Sequence, residues 1–190
     1  MGWLTTSPLV KTYTLEEFWE FPDPPDRSKL ELIAGVLYMT PPPGYLHENA
    51  VSRLLRLLSD HLTKSGDKGT LYVPRAGIWR TPHTWLEPDL FYVSAETQAK
   101  LDPNYRTTAD LVIEVISPGS AIYDRNTKAD TYAALGIKEL WLVDVTAKLI
   151  ELRNREGDRF ASSVALESED HLTSVVLPGF SVRVGDLLAD

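Results

Sequence analysis

The fold is decided by two apolar segments, 87–93 (EPDLFYV) and 110–116 (DLVIEVI). In both, apolar side chains fall on the two faces of an extended chain, which is the pattern of a strand covered on each side. A third segment of this kind lies at 139–145 (ELWLVDV), and a segment of helical character, 124–132 (DRNTKADTY), precedes it. We therefore predict a mixed α/β fold in which helices flank one central sheet.

Single carboxylates interrupt these apolar strands. Glu114 stands among apolar residues in the second segment, and Asp89 stands at the head of the first. An unpaired ionised carboxylate in such a place costs several kcal/mol, so each one needs a cationic partner or a bound cation. Two carboxylates brought side by side repel each other, and a hard divalent cation relieves the repulsion. A buried ion pair between Glu114 and Lys128, with no metal, is the alternative that these residues leave open.

The composition limits the class of protein. A chain of 190 residues that is 43% hydrophobic suits a single domain, 1–190, with a sizeable core. It has no cysteine, which excludes disulfides, thiolate metal sites and cysteine nucleophiles. The net charge is 19 − 27 = −8, and the sequence has no basic run. This charge weighs against tight non-specific binding of duplexes, and less against an enzyme that meets a polyanion through a local patch and a metal.

The sequence has no targeting or membrane signal. Residues 1–6 (MGWLTT) lack the charged start and the long apolar run of a signal peptide. No window approaches the ~18 consecutive apolar residues that a membrane span needs. We therefore expect a cytoplasmic protein with no membrane association.

The remaining segments alternate between helix and strand. Thr14 and Glu17 have the spacing of a capping box, which predicts a short helix that ends before Pro22. Hydrophobic periodicity and turn residues predict four further elements: a hairpin at 30–39 that turns at Ala34-Gly35, a helix at 45–64, strand at 71–73 and 76–79 that is bulged or bent around Pro74, and a C-terminal hairpin from 149–153 and 160–165.

Several blocks of sequence together resemble one protein family. They are Pro88-Asp89-Leu90, 111–118 (LVIEVISP), Asp124…Lys128…Tyr132, 136–144 (GIKELWLVD), 31–35 (ELIAG), and the proline-rich turn before His47. In this order they resemble the restriction-endonuclease-like proteins that are abundant in cyanobacteria and were long filed as a domain of unknown function. The resemblance covers roughly residues 12–180 and implies membership of the PD-(D/E)XK nuclease superfamily.

The resemblance implies a restriction-endonuclease-like mixed sheet flanked by helices, and a divalent-metal site. The C-terminal β-hairpin predicted above is an addition to this core. Asp89 matches the aspartate of the motif and Glu114 its (D/E) position. The usual lysine would stand two residues after Glu114, where this chain has Ile116. In this family the lysine has moved to the following helix, where Lys128 occupies the matching place. Glu31 matches the acidic residue that the first elements supply.

Phosphodiester hydrolysis is the chemistry that the family pattern implies. We expect Mg²⁺, or Mn²⁺, held by Asp89, Glu114 and the backbone carbonyl of Val115, with Lys128 orienting the attacking water. His47, which the family pattern shares, is a candidate for contact with the substrate. The expected partner is nucleic acid, DNA ahead of RNA. We also expect a homodimer or higher homo-oligomer, because many nucleases of this superfamily dimerise and the C-terminal hairpin leaves an apolar edge.

Each candidate residue also has a structural interpretation. Lys128 equally suits an exposed pair with Asp124 at i, i+4, and Glu31 suits the exposed face of a hairpin. His47 falls on the apolar stripe of its helix, which is typical of a core or capping histidine. A second class of function also stays open: a catalytically retired nuclease fold that binds nucleic acid or a protein partner. The displaced lysine and the net charge of −8 favour it.

Overall fold

The computed structural model describes residues 11–116 and 123–189. Its strands are β1 Lys29–Ile33, β2 Val36–Thr40, β3 Thr70–Tyr72, β4 Ile78–Arg80, β5 Thr84–Leu86, β6 Leu90–Val93, β7 Leu111–Ile116, β8 Glu139–Asp144, β9 Leu149–Glu156, β10 Arg159–Leu166, β11 His171–Thr173 and β12 Ser181–Arg183. Its helices are α1 Leu15–Trp19, α2 Tyr45–Ser65, α3 Ala95–Gln98, a π-helix Asp124–Lys128 continued by α4 Ala129–Ala134, and α5 Val184–Leu187. The main sheet has the order β10-β9-β8-β7-β6-β3, a second sheet has the order β2-β1-β5-β4, and β11 pairs with β12.

Strand β7 lies at the centre of the main sheet, and every one of its residues is buried. It pairs antiparallel with β6 and parallel with β8, so that Ile113 lies opposite Leu90 and Glu114 lies opposite Leu142. Parallel neighbours need a crossover connection, and α4 lies within it. The strands predicted from the long apolar runs are confirmed.

The two faces of the main sheet carry different cores. Ile113 and Val115 point to the face that α2 covers, where Leu54 and Leu58 pack against them. Successive side chains of a strand point to opposite faces, so Glu114 points to the other face. That other face is covered by α4 and by the second sheet. The carboxylate of Glu114 is therefore buried beneath two further elements.

The second sheet contains the predicted N-terminal hairpin. Strands β1 and β2 pair antiparallel and turn at Ala34 and Gly35, whose φ angles of 49° and 83° lie in the left-handed region. Leu32 packs on α1, whereas Ile33 joins the core that faces the main sheet. Glu31 shares the side of Ile33 because side chains alternate along the strand. The hairpin thus presents Glu31 to the main sheet.

The segment 71–79 forms two strands in different sheets. Strand β3 pairs with β6 in the main sheet, whereas β4 pairs with β5 in the second sheet. Pro74 cannot donate to a ladder, and Arg75 beside it has a left-handed φ of 69°. The prediction of strand on both sides of Pro74 is confirmed, but the predicted bulge or bend is instead a change of sheet, because the chain leaves the main sheet there and enters the second one.

The predicted helices and the C-terminal hairpin are confirmed. Thr14 and Glu17 form the capping box at the start of α1, with Glu17 N donating to Thr14 Oγ1 at 3.2 Å. Helix α2 ends at Gly66, whose left-handed φ of 69° suits a glycine cap. The hairpin β9-β10 places β10 at the edge of the main sheet. None of the helices in the described ranges is both long and apolar enough to cross a membrane.

Candidate active site

A cleft of about 780 Å³ opens between the main sheet, the second sheet and the start of α2. Its walls come from β1, the head of β6, the end of β7 and the π-helix. The ionisable residues on these walls include the predicted site residues Asp89, Glu114, Lys128 and His47. Val115 lines the same cleft. The structure therefore brings residues that are far apart in sequence to one place.

Asp89 is held at the head of β6 by two hydrogen bonds to one of its oxygens. Its Oδ2 accepts from the backbone N–H of Val115 at 2.8 Å and lies 3.0 Å from Nε2 of His47. Burial acts to raise the pKa of Asp89, but the hydrogen bond from His47 and the nearby charge of Lys29 outweigh burial and lower it. Asp89 is therefore a fixed, ionised carboxylate beside the end of β7.

Glu114 is the buried carboxylate of β7, with 2% of its surface exposed. Its Oε1 accepts from Lys128 Nζ at 2.9 Å and from the Tyr132 hydroxyl at 2.5 Å. Burial raises the pKa of Glu114 to about 7 against the attraction of Lys128. The charge of Asp89 adds to the rise, as expected for two carboxylates close enough to repel each other.

Lys128 is buried among three carboxylates. Its Nζ lies 2.8 Å from Glu31 Oε2, 2.9 Å from Glu114 Oε1 and 3.5 Å from Asp124 Oδ1. Burial opposes its charge, but the attraction of Glu114 and Glu31 prevails and raises the pKa of Lys128 well above its usual value. The pairings with Glu114 and Asp124 that the sequence left open both occur. The interpretation of Lys128 as an exposed lysine is wrong, because only 1% of the residue is exposed.

The π-helix that carries Lys128 is anchored on the main sheet. Arg125 lies one residue into it and donates from Nη2 to Asp144 Oδ2 of β8 at 2.9 Å. The same guanidinium pairs with Glu151 of β9, and Arg153 donates to the carbonyl of Arg125 at 2.7 Å. Single π-turns occur often at functional sites. This one fixes the direction in which Lys128 leaves the helix.

Glu31 is fully buried, so the interpretation as an exposed hairpin residue is wrong. Its Oε1 accepts from the backbone N–H of Glu87 at 2.8 Å, and its Oε2 contacts Lys128. Burial acts to raise the pKa of Glu31, but the charges of Lys128 and Lys29 outweigh burial and lower it. Glu31 therefore ties the second sheet to the residues of the main sheet.

Lys29 lies in the cleft beside these residues and was not predicted from the sequence. It lines the cleft, and its Nζ donates to the backbone carbonyl of Glu87 at 2.8 Å and lies 4.0 Å from Glu31 Oε2. The signal that could have found it is alternation, because Lys29 and Glu31 are two residues apart on one face of a strand. Once Glu31 is assigned to a site, Lys29 follows.

His47 lies in the first turn of α2 and reaches Asp89. Its side chain is 15% exposed, and its Nε2 contacts the same Asp89 oxygen as the backbone N–H of Val115. His47 therefore orients the aspartate, which neither the core nor the capping interpretation of this histidine includes. Its predicted contact with a substrate stays a prediction.

The chemistry of the site fits a divalent cation held by few protein ligands. Within the described ranges, no three or more Asp, Glu or His side chains are arranged to hold a metal. Mg²⁺ commonly takes only one or two carboxylates and completes its shell with waters and phosphate oxygens. Asp89 and Glu114 supply two carboxylates, and the hydrogen bonds described above use one oxygen of each. The role of the Val115 carbonyl as a ligand stays a prediction.

Comparison of the chain with known proteins identifies its family. The model of the Uma2 family, described as "Putative restriction endonuclease", matches residues 15–185. The chain belongs to this family. A crystal structure described as a putative nuclease belonging to DUF820, from Anabaena variabilis, has the same fold with a TM-score of 0.76 and 16% sequence identity, covering 93% of this chain and 97% of that one. No curated protein matches the chain.

Proposed function

We propose that the protein is a metal-dependent nuclease that hydrolyses phosphodiester bonds, with DNA preferred over RNA and Mg²⁺ or Mn²⁺ as cofactor. One observation carries the proposal. Asp89 and Glu114, from neighbouring strands of the main sheet, meet at a cleft beside the buried Lys128, in a chain of the restriction endonuclease family. The overlap of fold, family and carboxylate pair supports hydrolysis of nucleic acid above other chemistries.

The ligands of the cation would be Asp89, Glu114 and the carbonyl of Val115. When bound, a divalent cation supplies neutralisation of phosphate charge and activation of water. The protein's own task is to hold the two carboxylates in fixed positions before the substrate arrives. His47 and the backbone N–H of Val115 do this for Asp89.

The carboxylate of Glu114 is held by two side chains of the helical segment that follows β7. Lys128 and Tyr132 both donate to Oε1 of Glu114, and Lys128 also holds Glu31 in place. The positive charge of Lys128 favours the ionised form of Glu114, which binding of a cation requires. The predicted orientation of the attacking water by Lys128 stays a prediction, since its three carboxylate contacts favour a positioning role.

A retired nuclease fold that binds nucleic acid or a protein partner is the second candidate. Ile116 stands where the motif usually has its lysine, and the net charge is −8. These two observations favour binding without hydrolysis. The two candidates differ in affinity for metal, because a retired site has no need of a bound cation.

We also propose self-association, as a homodimer or a higher homo-oligomer. Strand β10 ends the main sheet, and its Val164 is 53% exposed. An open edge strand with an exposed apolar residue is suited to pairing with another chain. Light scattering after gel filtration measures the state, and Val164→Lys is expected to shift it to monomer if this edge is the interface.

Cleavage of a panel of substrates tests the proposed function. Supercoiled, linear and single-stranded DNA and single-stranded RNA are incubated with Mg²⁺ or Mn²⁺, with and without EDTA, for wild type and Asp89→Asn. We expect metal-dependent cleavage of DNA by wild type and none by the variant. If the folded wild type neither cleaves DNA nor binds metal by calorimetry, the result would favour the second candidate, a retired nuclease fold that binds nucleic acid or a protein partner.

A further inference from the structure

Two lysines reach the cleft, and their ammonium groups have different surroundings. The Nζ of Lys128 lies within 3.5 Å of three carboxylates, those of Glu31, Glu114 and Asp124. An ammonium has three N–H donors and no acceptor. These three carboxylates surround the ammonium of Lys128 and compensate its charge, and with only 2% of its side chain exposed the residue offers almost no surface to a phosphate oxygen.

Within the described residues, Lys29 uses only part of its hydrogen-bonding capacity. In the described part of the chain, its Nζ donates one hydrogen bond, to the carbonyl of Glu87 at 2.8 Å. Its distance of 4.0 Å to Glu31 Oε2 is beyond hydrogen-bond range. Its side chain is 23% exposed, against 2% for that of Lys128. Lys29 is thus held at its tip by a backbone carbonyl while two N–H donors remain for an incoming group.

We propose that Lys29, and not Lys128, is the lysine that contacts the phosphate of the substrate, and that Lys128 is a positioning residue for Glu114 and Glu31. The inference rests on the proposed nuclease function. Lys29 stays protonated throughout and binds a non-bridging phosphate oxygen as a point charge. Its charge then opposes the negative charge that builds on the phosphorus oxygens during hydrolysis.

Two arginines extend the cationic side of the cleft. Arg27 and Arg75 both line it, and both have left-handed backbone, with φ of 65° and 69°. Non-glycine residues are uncommon in this region, and they occur in turns, as at Ala34 here, as well as at functional sites. Arg75 Nε lies 3.8 Å from Glu87 Oε2, so Glu87 connects Arg75 with Lys29. Three cations are enough to contact a short stretch of two or three phosphates, but not a long tract of duplex.

Because only Lys29, Arg27 and Arg75 among the described residues form this cationic side of the cleft, we expect DNA binding to depend only modestly on salt concentration. Each phosphate contact contributes about −0.7 to −0.9 to the slope of log K against log salt. Three contacts predict a slope of about −2 to −3 for the wild type. Loss of Lys29 is expected to make this slope shallower by a little under one. The salt dependence of DNA binding therefore detects the phosphate contact of Lys29 without requiring catalysis.

The test compares wild type, Lys29→Met, Lys29→Arg and Lys68→Met. Lys68 is an exposed lysine outside the cleft and serves as the matched control. A short fluorescent single-stranded DNA is used twice: in single-turnover cleavage with Mg²⁺, and in anisotropy titrations in EDTA at several salt concentrations. If Lys29→Met does not fold, Lys29→Gln replaces it, because an amide can donate to the same carbonyl of Glu87.

We expect Lys29→Met to slow cleavage by about 100-fold, which is typical for loss of one preorganised donor to a developing negative charge. We also expect a shallower salt slope, substantial rescue by Lys29→Arg, and wild-type behaviour from Lys68→Met. Cleavage and salt slope that Lys29→Met leaves unchanged would overturn the inference while the nuclease function stands. A wild type that binds DNA through Lys29 without cleaving it would retain the phosphate contact and overturn the nuclease. A wild type that does neither would overturn both.

Discussion

Glu114 and Glu139 are two buried glutamates on neighbouring strands, and their partners differ. Glu139 is fully buried at the start of β8. Its Oε1 accepts from the Trp141 indole N–H at 2.5 Å, and its Oε2 accepts from the Ser174 hydroxyl and the backbone N–H of Val175 at 3.1 and 2.8 Å. All of these donors are neutral. Glu139 therefore fastens the segment after β11 to the main sheet.

Glu114 differs from Glu139 in both partner and location. One of its oxygens accepts hydrogen bonds from both a lysine ammonium and a tyrosine hydroxyl. The residue also lines the cleft together with a second carboxylate, that of Asp89. Burial raises the pKa of both glutamates, so a raised pKa does not separate them. What separates them is the cation, the neighbouring Asp89 and the access to a cleft. A buried carboxylate identifies a candidate site only when these three accompany it.

The largest expected effect on stability is at the cation of the charged cluster. Lys128→Met removes the charge shared by Glu31, Glu114 and Asp124, and we expect it to lower the free energy of unfolding by ~3–5 kcal/mol. Urea denaturation measures the loss. Lys100→Met, which breaks only an exposed pair with Glu96, is the control and should leave the midpoint unchanged. A Lys128 variant as stable as this control would mean that solvent satisfies the cluster.

A smaller effect is expected at the structural glutamate. Glu139→Gln keeps the shape but turns an amide NH₂ toward N–H and O–H donors, so we expect a loss of about 1–3 kcal/mol of stability. Cleavage and metal affinity should equal those of wild type. The free energy comes from urea denaturation and the activity from the DNA assay. Loss of activity in a stably folded Glu139→Gln would erase the distinction between the two glutamates.

The smallest expected effect is the pH dependence of that loss. Burial raises the pKa of Glu139 above its usual 4.5. Between 4.5 and the raised value, the unfolded chain has released a proton that the folded chain still holds, so stability of the wild type falls as pH rises. Glu139→Gln lacks this dependence, and its deficit should therefore shrink from pH 4.5 to pH 7. Urea denaturation at the two pH values measures it, and a deficit that grows would show that Glu139 is stabilised as an anion.

The centre of the fold follows from local sequence. Strands β7 and β8 are long apolar runs, and α2 has a clear helical stripe, so each was predicted close to its observed bounds. Asp89, Glu114 and Lys128 were predicted to meet, and the structure brings them to one cleft. Asp89 and Glu114 could be predicted because a carboxylate is conspicuous in an apolar strand. Lys128 could be predicted because of the resemblance to a family.

The burial of residues in the second sheet could not be predicted from local sequence in the same way. The alternation of β1 suits an exposed hairpin, yet Glu31 is buried because β5 pairs with β1 at Leu32 and Trp85 and the resulting sheet packs on the main one. That pairing joins distant parts of the chain through a strand too short to produce a periodic signal. Lys29 depends on the same packing. The residues missed or misjudged are therefore those whose burial depends on contacts between sheets.

Metal binding by Glu114→Gln and Glu139→Gln tests the central claim most directly. Mg²⁺ and Mn²⁺ are titrated into wild type and both variants by calorimetry, and each protein is then assayed for DNA cleavage with the same metals. We predict that Glu139→Gln binds metal and cleaves DNA like wild type, whereas folded Glu114→Gln does neither. Cleavage by Glu114→Gln with an unchanged requirement for metal would contradict the assignment of Glu114 as a ligand and leave it a structural ion pair.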